Sequence, residues 1–529
     1  MRGHDGARRA KSTGGPFFLG TAPLLVVVVA LGGCTTVGPD FARPEVSLTE
    51  NWGAKGDPRI ATQTATDIQW WKAFNDPALD RLVELANQQN LPLQVAGLRI
   101  VEARARLGVA TGQQYPQVQA AFGNVTAQGI SKNAANVSGL DTHFVNYELG
   151  FDAVWELDFW GRYRRGVEAE SDNVLASVAD YYSSLVSLTA EVARTYTVIR
   201  TFEVRIGQAR ENERIQQEGL QIAESRFRNG ATSELDVAQA TTLLESTRAT
   251  IPQLQAGLQQ ARNALSTLLG QPPGMVEELL AGPQEIPQAP ALVAVGMPAE
   301  ILRRRPDIRA AEFFAAAQCA RIGVAKADLY PSFTLFGTIG LQATSGAGTS
   351  FNLGDSLFYS LGPRIRWPFF NYGRIKNTVR VEDARFQQLL VGYRNAVLQA
   401  AQEVENSLAG YLNAQETVVF EQRAVNAAQK SVELSLVQYR EGAVDYQRVL
   451  DAQRSLLQQQ NNLAQARSSV ATSLIALYKA LGGGWESRQD QPIVTEPTLD
   501  EMKKRTNWGE MLTQPSAPET KKSPEPAKH

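Results

Sequence analysis

The stretch "ARLGVATGQQYP" at residues 105–116 recurs as "ARIGVAKADLYP" at residues 320–331, with seven of the twelve positions identical. Three further pairs of segments match at a constant separation of 212 residues: Gly150–Arg162 with Gly362–Arg374, Arg228–Ala240 with Arg440–Ala452, and Asn263–Gly270 with Ile475–Gly482. A unit of roughly 180 residues therefore occurs twice, which predicts an internal tandem duplication rather than a solenoid of short repeats.

Long amphipathic helices are predicted in each copy. Proline is absent from residues 117–251 and 369–491, and the long stretches within them are rich in good helix formers. Apolar residues recur at every seventh position, at Leu185, Val192, Ile199, Ile206, Val237, Leu244, Ile251, Leu258 and Leu265 and again at Val397, Val404, Tyr411, Val418, Val449, Leu456, Leu463, Val470 and Leu477. This spacing indicates left-handed coiled-coil packing. Because the intervening Gln453, Gln460 and Arg467 are polar, we expect a narrow apolar seam, with much of each helix surface exposed to water. Each of the longest helices would have roughly 65 residues and a length of about 100 Å.

Glycines mark the turns between these helices. Gly230 in "FRNGATSELD" and Gly442 in "YREGAVDYQR" can adopt the positive φ that ends a helix. Ser233 and Asp445 stand where the next helix begins and can cap it. Each copy is therefore predicted to contain one long helical hairpin, with its tip at Gly230 or Gly442.

Segments with a two-residue apolar period precede the long helices in both copies. One face is apolar and the other polar: Tyr147, Leu149, Phe151, Ala153 and Trp155 against Asn146, Glu148, Asp152 and Glu156, and later Phe333, Leu335, Ile339 and Leu341 against Thr334, Thr338 and Gln342. Strands of about 9–12 residues with one apolar face are typical of tilted membrane-spanning strands. A soluble hairpin packed on a core would alternate in the same way, and this alternative stays open.

The predicted strands are too few to close a barrel within one chain. Two hairpins supply four strands, and an open sheet edge is not tolerated in lipid. If these strands enter a membrane, several chains must therefore combine them. Two chains would form an eight-stranded barrel filled by side chains, and three would form a twelve-stranded barrel with a pore.

The N-terminus resembles an export signal that ends at a lipid-modified cysteine. Basic residues precede an apolar run of about 15 residues, which is short of the ~20 that a transmembrane anchor, the alternative interpretation, would need. The run ends at "LGGC", which resembles the lipobox of bacterial lipoproteins, so we expect Cys34 to carry diacylglycerol and acyl groups. Thr35 rather than Asp follows it, which implies sorting to the outer membrane. Cys319 would then be the only free thiol.

Composition argues against several classes of function. The formal net charge of -2 gives no bulk attraction to nucleic acid. The chain has only three histidines, His4, His143 and His529. This scarcity argues against a histidine-based metal site or a Ser-His-Asp triad, and no phosphate-binding loop is apparent. We therefore expect no enzymatic activity, no metal and no cofactor apart from the groups on Cys34.

Several paired motifs together resemble one family. They are the Tyr-Pro strand entries, the Gly-Arg strand exits, "RRPDIRAAE" (304–312), "YREGAVDYQRVLDAQRSLL" (439–457) and "LYKALGGGW" (477–485). They resemble the outer-membrane factor family, the TolC-like export ducts, and specifically its efflux-pump lipoprotein branch, over nearly the whole mature chain. The resemblance implies a mixed α+β membrane protein that forms a homotrimer. Four membrane β-strands per chain would build a trimeric twelve-stranded barrel, continued by a long coiled-coil α-helical barrel in the periplasm.

The resemblance also implies a function and partners. It implies the exit duct of a tripartite efflux system in the bacterial outer membrane, which passively conducts small toxic compounds such as drugs and solvents. Such a duct is closed at its periplasmic end at rest. It opens when it docks to a periplasmic adaptor and an inner-membrane transporter, often of the resistance-nodulation-division type. A protein-secretion duct and a non-porous structural coiled-coil lipoprotein are the alternatives. The last of these predicts no strands with a two-residue period.

The family's functional positions can be transferred by motif. Its periplasmic gate falls on Asp236 in the first copy and on Gln447 and Asp451 in the second, where Gln447 replaces a leucine of the relatives. The adaptor-contacting tips fall on Arg228, Asn229, Gly230, Arg440, Glu441 and Gly442. From the residues alone, three copies of Asp451 around an axis would repel one another and attract cations. Asp236 and Asp451 could also be carboxylates favoured at the start of a helix.

These expectations divide the chain into seven segments. They are a signal peptide (1–33), a lipidated N-terminal segment with an equatorial collar (34–87), the first repeat (88–281), a linker (282–296), the second repeat (297–485), a C-terminal equatorial segment (486–510) and a disordered tail (511–529).

Overall fold

The computed structural model describes residues 35–54, 56–61, 69–137, 139, 141–282, 284–290, 292–298, 303–345, 354–489 and 491–512. The predicted signal peptide, Cys34 and most of the predicted tail lie outside these residues. The chain divides into two compact units. The strand unit comprises Met1–Asp40, Val109–Ala169 and Cys319–Asp383, and the helical unit comprises Phe41–Gly108, Glu170–Gln318 and Ala384–His529.

Both halves of the chain share an order of one helix, two strands and two long helices, and the first half has an additional helix at its start. The first has helices α1 (Pro77–Gln89) and α2 (Leu91–Gly112), strands β1 (Val118–Gly129) and β2 (His143–Leu157), and helices α3 (Arg162–Arg228) and α4 (Glu234–Leu268). The second has α5 (Pro306–Ala327), β3 (Ser332–Thr344), β4 (Leu357–Arg366), α6 (Arg374–Arg440) and α7 (Tyr446–Ala480), followed by α8 (Glu496–Arg505). Helices α3 and α6 each have 67 residues, and α4 and α7 each have 35. The predicted long helices are confirmed.

The seven-residue apolar pattern forms the buried side of these helices. Leu185, Val192 and Ile199 of α3 are each 0% exposed. Gln453 is an exception to the expected wet stripe, because it is only 1% exposed. The facing helix has Gly219 at this level, and a Cβ added there would lie 3.3 Å from the Gln453 Nε2 atom. A glycine therefore leaves room for a large polar side chain that the sequence pattern placed near solvent.

The strand unit contains one antiparallel sheet in the order β1-β2-β3-β4. The strands have 12, 15, 13 and 10 residues. Strands β2 and β3 are thus longer than the predicted 9–12 residues. Both are central strands, so neighbours on each side satisfy their backbone groups over a longer stretch. Phe151 of β2 lies opposite Ile339 of β3, which lies opposite Tyr359 of β4.

The two faces of this sheet differ as the alternation predicts. The apolar face is exposed: Leu149 is 60% exposed, Phe151 66% and Leu361 82%. On the opposite face, the Thr338 hydroxyl donates to the Asp152 carboxylate at 2.7 Å, and the Gln342 amide donates to Glu148 at 3.0 Å. The alternative of a soluble hairpin with its apolar face on a protein core is therefore wrong for this unit. A large exposed apolar face is typical of a surface that meets lipid or another chain.

The helical unit has a core in which segments from both ends of the chain meet. Trp70 stacks on Tyr478 with ring centroids 5.2 Å apart, and Tyr182 packs on Trp485 at 4.8 Å. Leu512 is buried beside Met502 of α8. The predicted disordered tail therefore starts too early, because Met511 and Leu512 belong to a short 3-10 turn, Gly509–Leu512. Among the described residues, no helix combines the length and the apolar character needed to cross a membrane.

Candidate functional site at the hairpin tips

Both hairpin tips turn through the glycines that the sequence predicted. Gly230 has φ +70° and Gly442 has φ +79°. At the first tip, Ala231 N donates to Arg226 O at 2.8 Å and Gly230 N donates to Phe227 O at 2.9 Å. This pair of bonds is the Schellman arrangement that closes helix C-termini, and the second tip repeats it. The backbone of each tip is therefore a defined turn.

The next helices begin where expected, but without the expected cap bonds. Ser233 and Asp445 occupy the N-cap positions of α4 and α7, and neither side chain makes a capping hydrogen bond. At the first tip, the Thr232 hydroxyl instead donates to the carboxylate of Asp236.

The two hairpins share one apolar cluster behind the tips. Its buried members are Leu220, Ala223, Ala240, Leu243, Leu244, Tyr439, Tyr446, Val449 and Leu450. The rings of Tyr439 and Tyr446 meet edge to face with centroids 5.1 Å apart. Since each fully buried leucine contributes about 1.5–3 kcal/mol, this cluster holds the hairpins together near their tips.

Asp236 joins the two hairpins directly. The Tyr439 hydroxyl at the end of α6 donates to Asp236 Oδ2 at 3.0 Å, across 203 positions of sequence. Tyr439 is only 1% exposed. Its burial, with a further contribution from Asp236, raises the pKa of the Tyr439 hydroxyl to about 12, so that the hydroxyl stays a hydrogen-bond donor at neutral pH.

Gln447 and Asp451 form a separate pair on α7. The Gln447 amide donates to Asp451 Oδ1 at 2.9 Å, and both side chains are exposed. The structure therefore brings two of the predicted gate residues together and places Asp236 against Tyr439 instead. Asp236 lies in the first turn of α4, as the helix-start interpretation requires. Asp451 lies beyond the first turn of α7, so that interpretation is wrong for Asp451.

The residues predicted to contact an adaptor lie at the surface. Arg228, Asn229 and Gly230 are exposed, as are Arg440, Glu441 and Gly442. The Asn229 amide donates to the carbonyl of Ser225 at 2.7 Å, which fixes this side chain on its own helix. Four charged or amide side chains are thus presented on two preformed turns.

Sequence analysis missed two residues at this site, Tyr439 and Arg226. Both lie at positions where the two copies of the repeat differ. At a separation of 212 residues, Tyr439 corresponds to Phe227, and Arg226 corresponds to Gln438. Phe227 is 44% exposed whereas Tyr439 is buried, so equivalent positions have different surroundings. A comparison of the two copies position by position could therefore have drawn attention to Tyr439 and Arg226.

The described residues contain no group of three or more His, Cys, Asp or Glu side chains placed to hold a metal ion. The site has one hydrogen bond between the two hairpins, from the Tyr439 hydroxyl to Asp236, which we call the latch. It also has a pair of exposed turns. Together with a sheet that exposes its apolar face, these are features expected of an outer-membrane export channel.

Comparison with known proteins agrees with this class. Residues 82–271 and 297–483 match the family model described as outer membrane efflux protein. The pyoverdine export outer membrane protein OpmQ of Pseudomonas putida is 31% identical over 477 residues, which cover 88% of this chain and 97% of OpmQ. The probable outer membrane lipoprotein SilC of Salmonella typhimurium is 30% identical, with 87% and 97% covered.

A solved structure is similar over the same extent. The outer-membrane channel OprN has a TM-score of 0.80 and 34% identity, covering 85% of this chain and 99% of OprN. The chain belongs to the outer membrane efflux protein family. It is an outer-membrane protein that acts as an efflux channel.

Proposed function

We propose that three copies of this chain form the exit duct of a tripartite efflux system. One observation carries the proposal: the sheet exposes its apolar face, and β1 and β4 lie at its edges. In lipid, these edges need strands from other chains. Three chains would supply twelve strands for a barrel, and the long hairpins would continue it as an α-helical barrel in the periplasm. The equal lengths of the long helices in the two halves, 67 and 35 residues, support a tandem duplication.

The lipid anchor belongs to this proposal. Cleavage before Cys34 would leave diacylglycerol and acyl groups on that residue. The segment that follows is attached to the strand unit: Val37 N donates to Trp160 O at 3.0 Å, and Arg165 contacts Asp40 at 2.6 Å. The acyl chains would therefore start close to Trp160, which follows β2. No other cofactor and no catalytic activity are proposed.

The proposal includes a periplasmic gate at Asp236, Gln447 and Asp451, with different roles for its members. Asp236 would act through its bond to Tyr439, which holds the second hairpin against the first. Gln447 and Asp451 are exposed and would face the duct, where three Asp451 carboxylates attract cations. A glutamine at position 447 makes this level polar.

The tips would dock to a periplasmic adaptor that connects the duct to an inner-membrane transporter, often of the resistance-nodulation-division type. The name of OpmQ refers to pyoverdine export and that of SilC to a lipoprotein. We propose small toxic compounds, such as drugs and solvents, as the cargo. The sheet makes the non-porous coiled-coil alternative wrong, and the efflux family match favours efflux over protein secretion.

The test places a photo-crosslinking amino acid at Asn229 or at Glu441 in living cells. Mass spectrometry then identifies the captured protein. We expect an efflux adaptor at both positions, and the same probe at exposed Arg394, on α6 far from the tip, serves as control. Capture of a protein-secretion adaptor would change the cargo class. Capture of outer-membrane or surface proteins alone would contradict the placement of the tips at the periplasmic end, and with it the proposed duct.

A further inference from the structure

Arg226 belongs to the first hairpin but contacts mainly the second. Its Nη1 atom donates to the carbonyl oxygen of Tyr439 at 2.6 Å and to that of Arg440 at 3.2 Å. Its guanidinium lies over the Tyr439 ring, 4.9 Å from the centroid. Its Nη2 atom donates to Ala231 O at 3.3 Å, in the turn of its own tip. One side chain thus bridges both tips.

These contacts lie at the end of a helix that needs donors. The last carbonyls of α6 have no amide partner within the helix. The turn supplies Gly442 N to the Tyr439 carbonyl at 3.0 Å, which leaves a second lone pair of that oxygen for another donor. The negative end of the helix dipole also lies there. A guanidinium offers charge-assisted hydrogen bonds to two such carbonyls at once. Arg226 therefore acts as a C-cap for α6 that is supplied by another helix, α3.

Tyr439 is held from two directions by the first hairpin. Arg226 holds its backbone carbonyl and the face of its ring, and Asp236 accepts from its hydroxyl. Arg226 precedes Gly230 and Asp236 follows it, so the first tip encloses the end of α6. A movement of α6 that separates the Tyr439 hydroxyl from Asp236 must also withdraw the carbonyls from Arg226.

We propose that Arg226 is the positioning residue of the gate. It fixes the second tip so that Tyr439 meets Asp236, and a pull on Arg440–Gly442 releases both bonds together. This inference rests on the proposed duct and adds a route from the docking tip to the latch. This contact runs only from the first hairpin to the second, because the second copy has Gln438 at the position equivalent to Arg226. An amide there lacks the charge and the five-donor fork of arginine.

The experiment records current through the purified full-length trimer in a planar lipid bilayer, without adaptor or pump. Arg226→Gln is compared with wild type, with Arg226→Lys and with Arg214→Gln. Arg214 lies on the same helix and pairs only locally, with Glu211 and Glu218, so its variant matches the charge change. Arg226→Lys keeps the charge but lacks the planar fork, and it carries the test if the glutamine variant does not assemble.

We expect Arg226→Gln to raise the ratio of open to closed time about tenfold, the effect of losing from the closed state the one hydrogen bond between Tyr439 and Asp236 that Arg226 positions. Arg226→Lys should fall between it and wild type, and Arg214→Gln should match wild type. If Arg226 acts through Tyr439, the double variant Arg226→Gln/Tyr439→Phe opens no more than Tyr439→Phe alone. A merely structural loss would lower the melting temperature and leave the open ratio unchanged.

Two results would overturn the positioning role while the duct stands. One is that Arg226→Gln stays as closed as Arg214→Gln. The other is that the effects of Arg226→Gln and Tyr439→Phe simply add, which would make the two residues independent. If neither wild type nor any variant conducts, the proposed duct itself fails, and this inference fails with it.

Discussion

Tyr439 and Asp236 lie 203 positions apart in sequence and form one hydrogen bond, from the Tyr439 hydroxyl to Asp236 Oδ2 at 3.0 Å. The bond joins the end of α6 to the first turn of α4, next to both tips. It therefore ties the two hairpins together at the point where the chain is proposed to meet its adaptor.

Tyr439→Phe should open the channel at rest. The substitution keeps the ring in the apolar cluster and removes only the donor to Asp236. A hydrogen bond to a charged group contributes roughly 1.5–3 kcal/mol, and this contribution would be lost from the closed state. The measurement is the resting conductance in a bilayer, together with susceptibility of cells to bulky antibiotics that the outer membrane normally excludes.

Tyr446→Phe is the matched control for this variant. Tyr446 is buried in the same cluster, and its phenylalanine variant leaves the bond between Tyr439 and Asp236 in place. Equal conductance in the two variants would show that the hydroxyl of Tyr439 has no special role.

Alkaline pH should weaken the same latch. Burial raises the pKa of Tyr439 to about 12, whereas an unfolded or hydrated tyrosine has a pKa of about 10. A raised pKa means that the closed form retains the proton more strongly than the open form. The stabilisation is therefore fully present below about pH 10 and is lost as pH rises toward about 12.

The measurement is the open ratio in a bilayer from pH 8 to pH 12. We expect wild type to open across the upper part of this range and Tyr439→Phe to show a smaller change, because it has no hydroxyl to titrate. Burial also raises the pKa of Tyr446, which is present in both proteins. An identical pH profile for the two proteins would assign the effect to other groups.

The sequence predicts most of the local structure, because periodic patterns report on local geometry. A seven-residue apolar repeat identified the buried residues Leu185 and Val192, and two glycines identified the tips. The contacts between the copies were not predictable in this way. Tyr439 is equivalent to Phe227 by sequence, yet only Tyr439 is buried, because its surroundings come from the other hairpin.

Gln453 illustrates the same limit within a helix. A polar residue in a heptad pattern predicts a wet position when only its own helix is considered. Its burial depends on Gly219, which lies 234 positions earlier on a facing helix and supplies the space. Periodicity gives the side of a helix that is buried, and the partner helix decides which side chains fit there.

Arg200 should be among the most destabilising positions of the helical unit. It is 1% exposed, donates to Glu203 at 2.7 Å and to the carbonyl of Leu280 at 2.9 Å, and contacts the Tyr196 hydroxyl at 3.0 Å. Removing one partner of a buried ion pair costs about 3–5 kcal/mol, because the other charge stays buried. We expect Arg200→Met to lower the melting temperature of the protein clearly.

The double variant Arg200→Met/Glu203→Leu separates charge from packing. It removes both charges, so it should recover part of the lost stability, although Arg262 then loses its contact with Glu203. Thermal unfolding of the wild type, of Arg200→Met, of Glu203→Leu and of the double variant gives the coupling energy. If the double variant is less stable by the sum of both single changes, the pair has no coupling.

Two neighbouring residues of β4 test which face of the sheet meets lipid. Leu361 lies on the apolar face and is 82% exposed, and Ser360 points to the opposite face, where it pairs in register with Thr338. A lysine on the lipid side of a membrane strand costs about 2–4 kcal/mol near the middle of the bilayer, whereas a lysine facing the lumen mainly changes selectivity. Leu361→Lys should therefore reduce assembly in the outer membrane, measured as the amount of the protein in the outer-membrane fraction. Ser360→Lys should assemble normally and shift the reversal potential of the channel toward anion preference.

The reverse pattern, with Ser360→Lys failing to assemble and Leu361→Lys altering ion selectivity, would show that the apolar face lines the duct, and the proposed barrel would have to be abandoned.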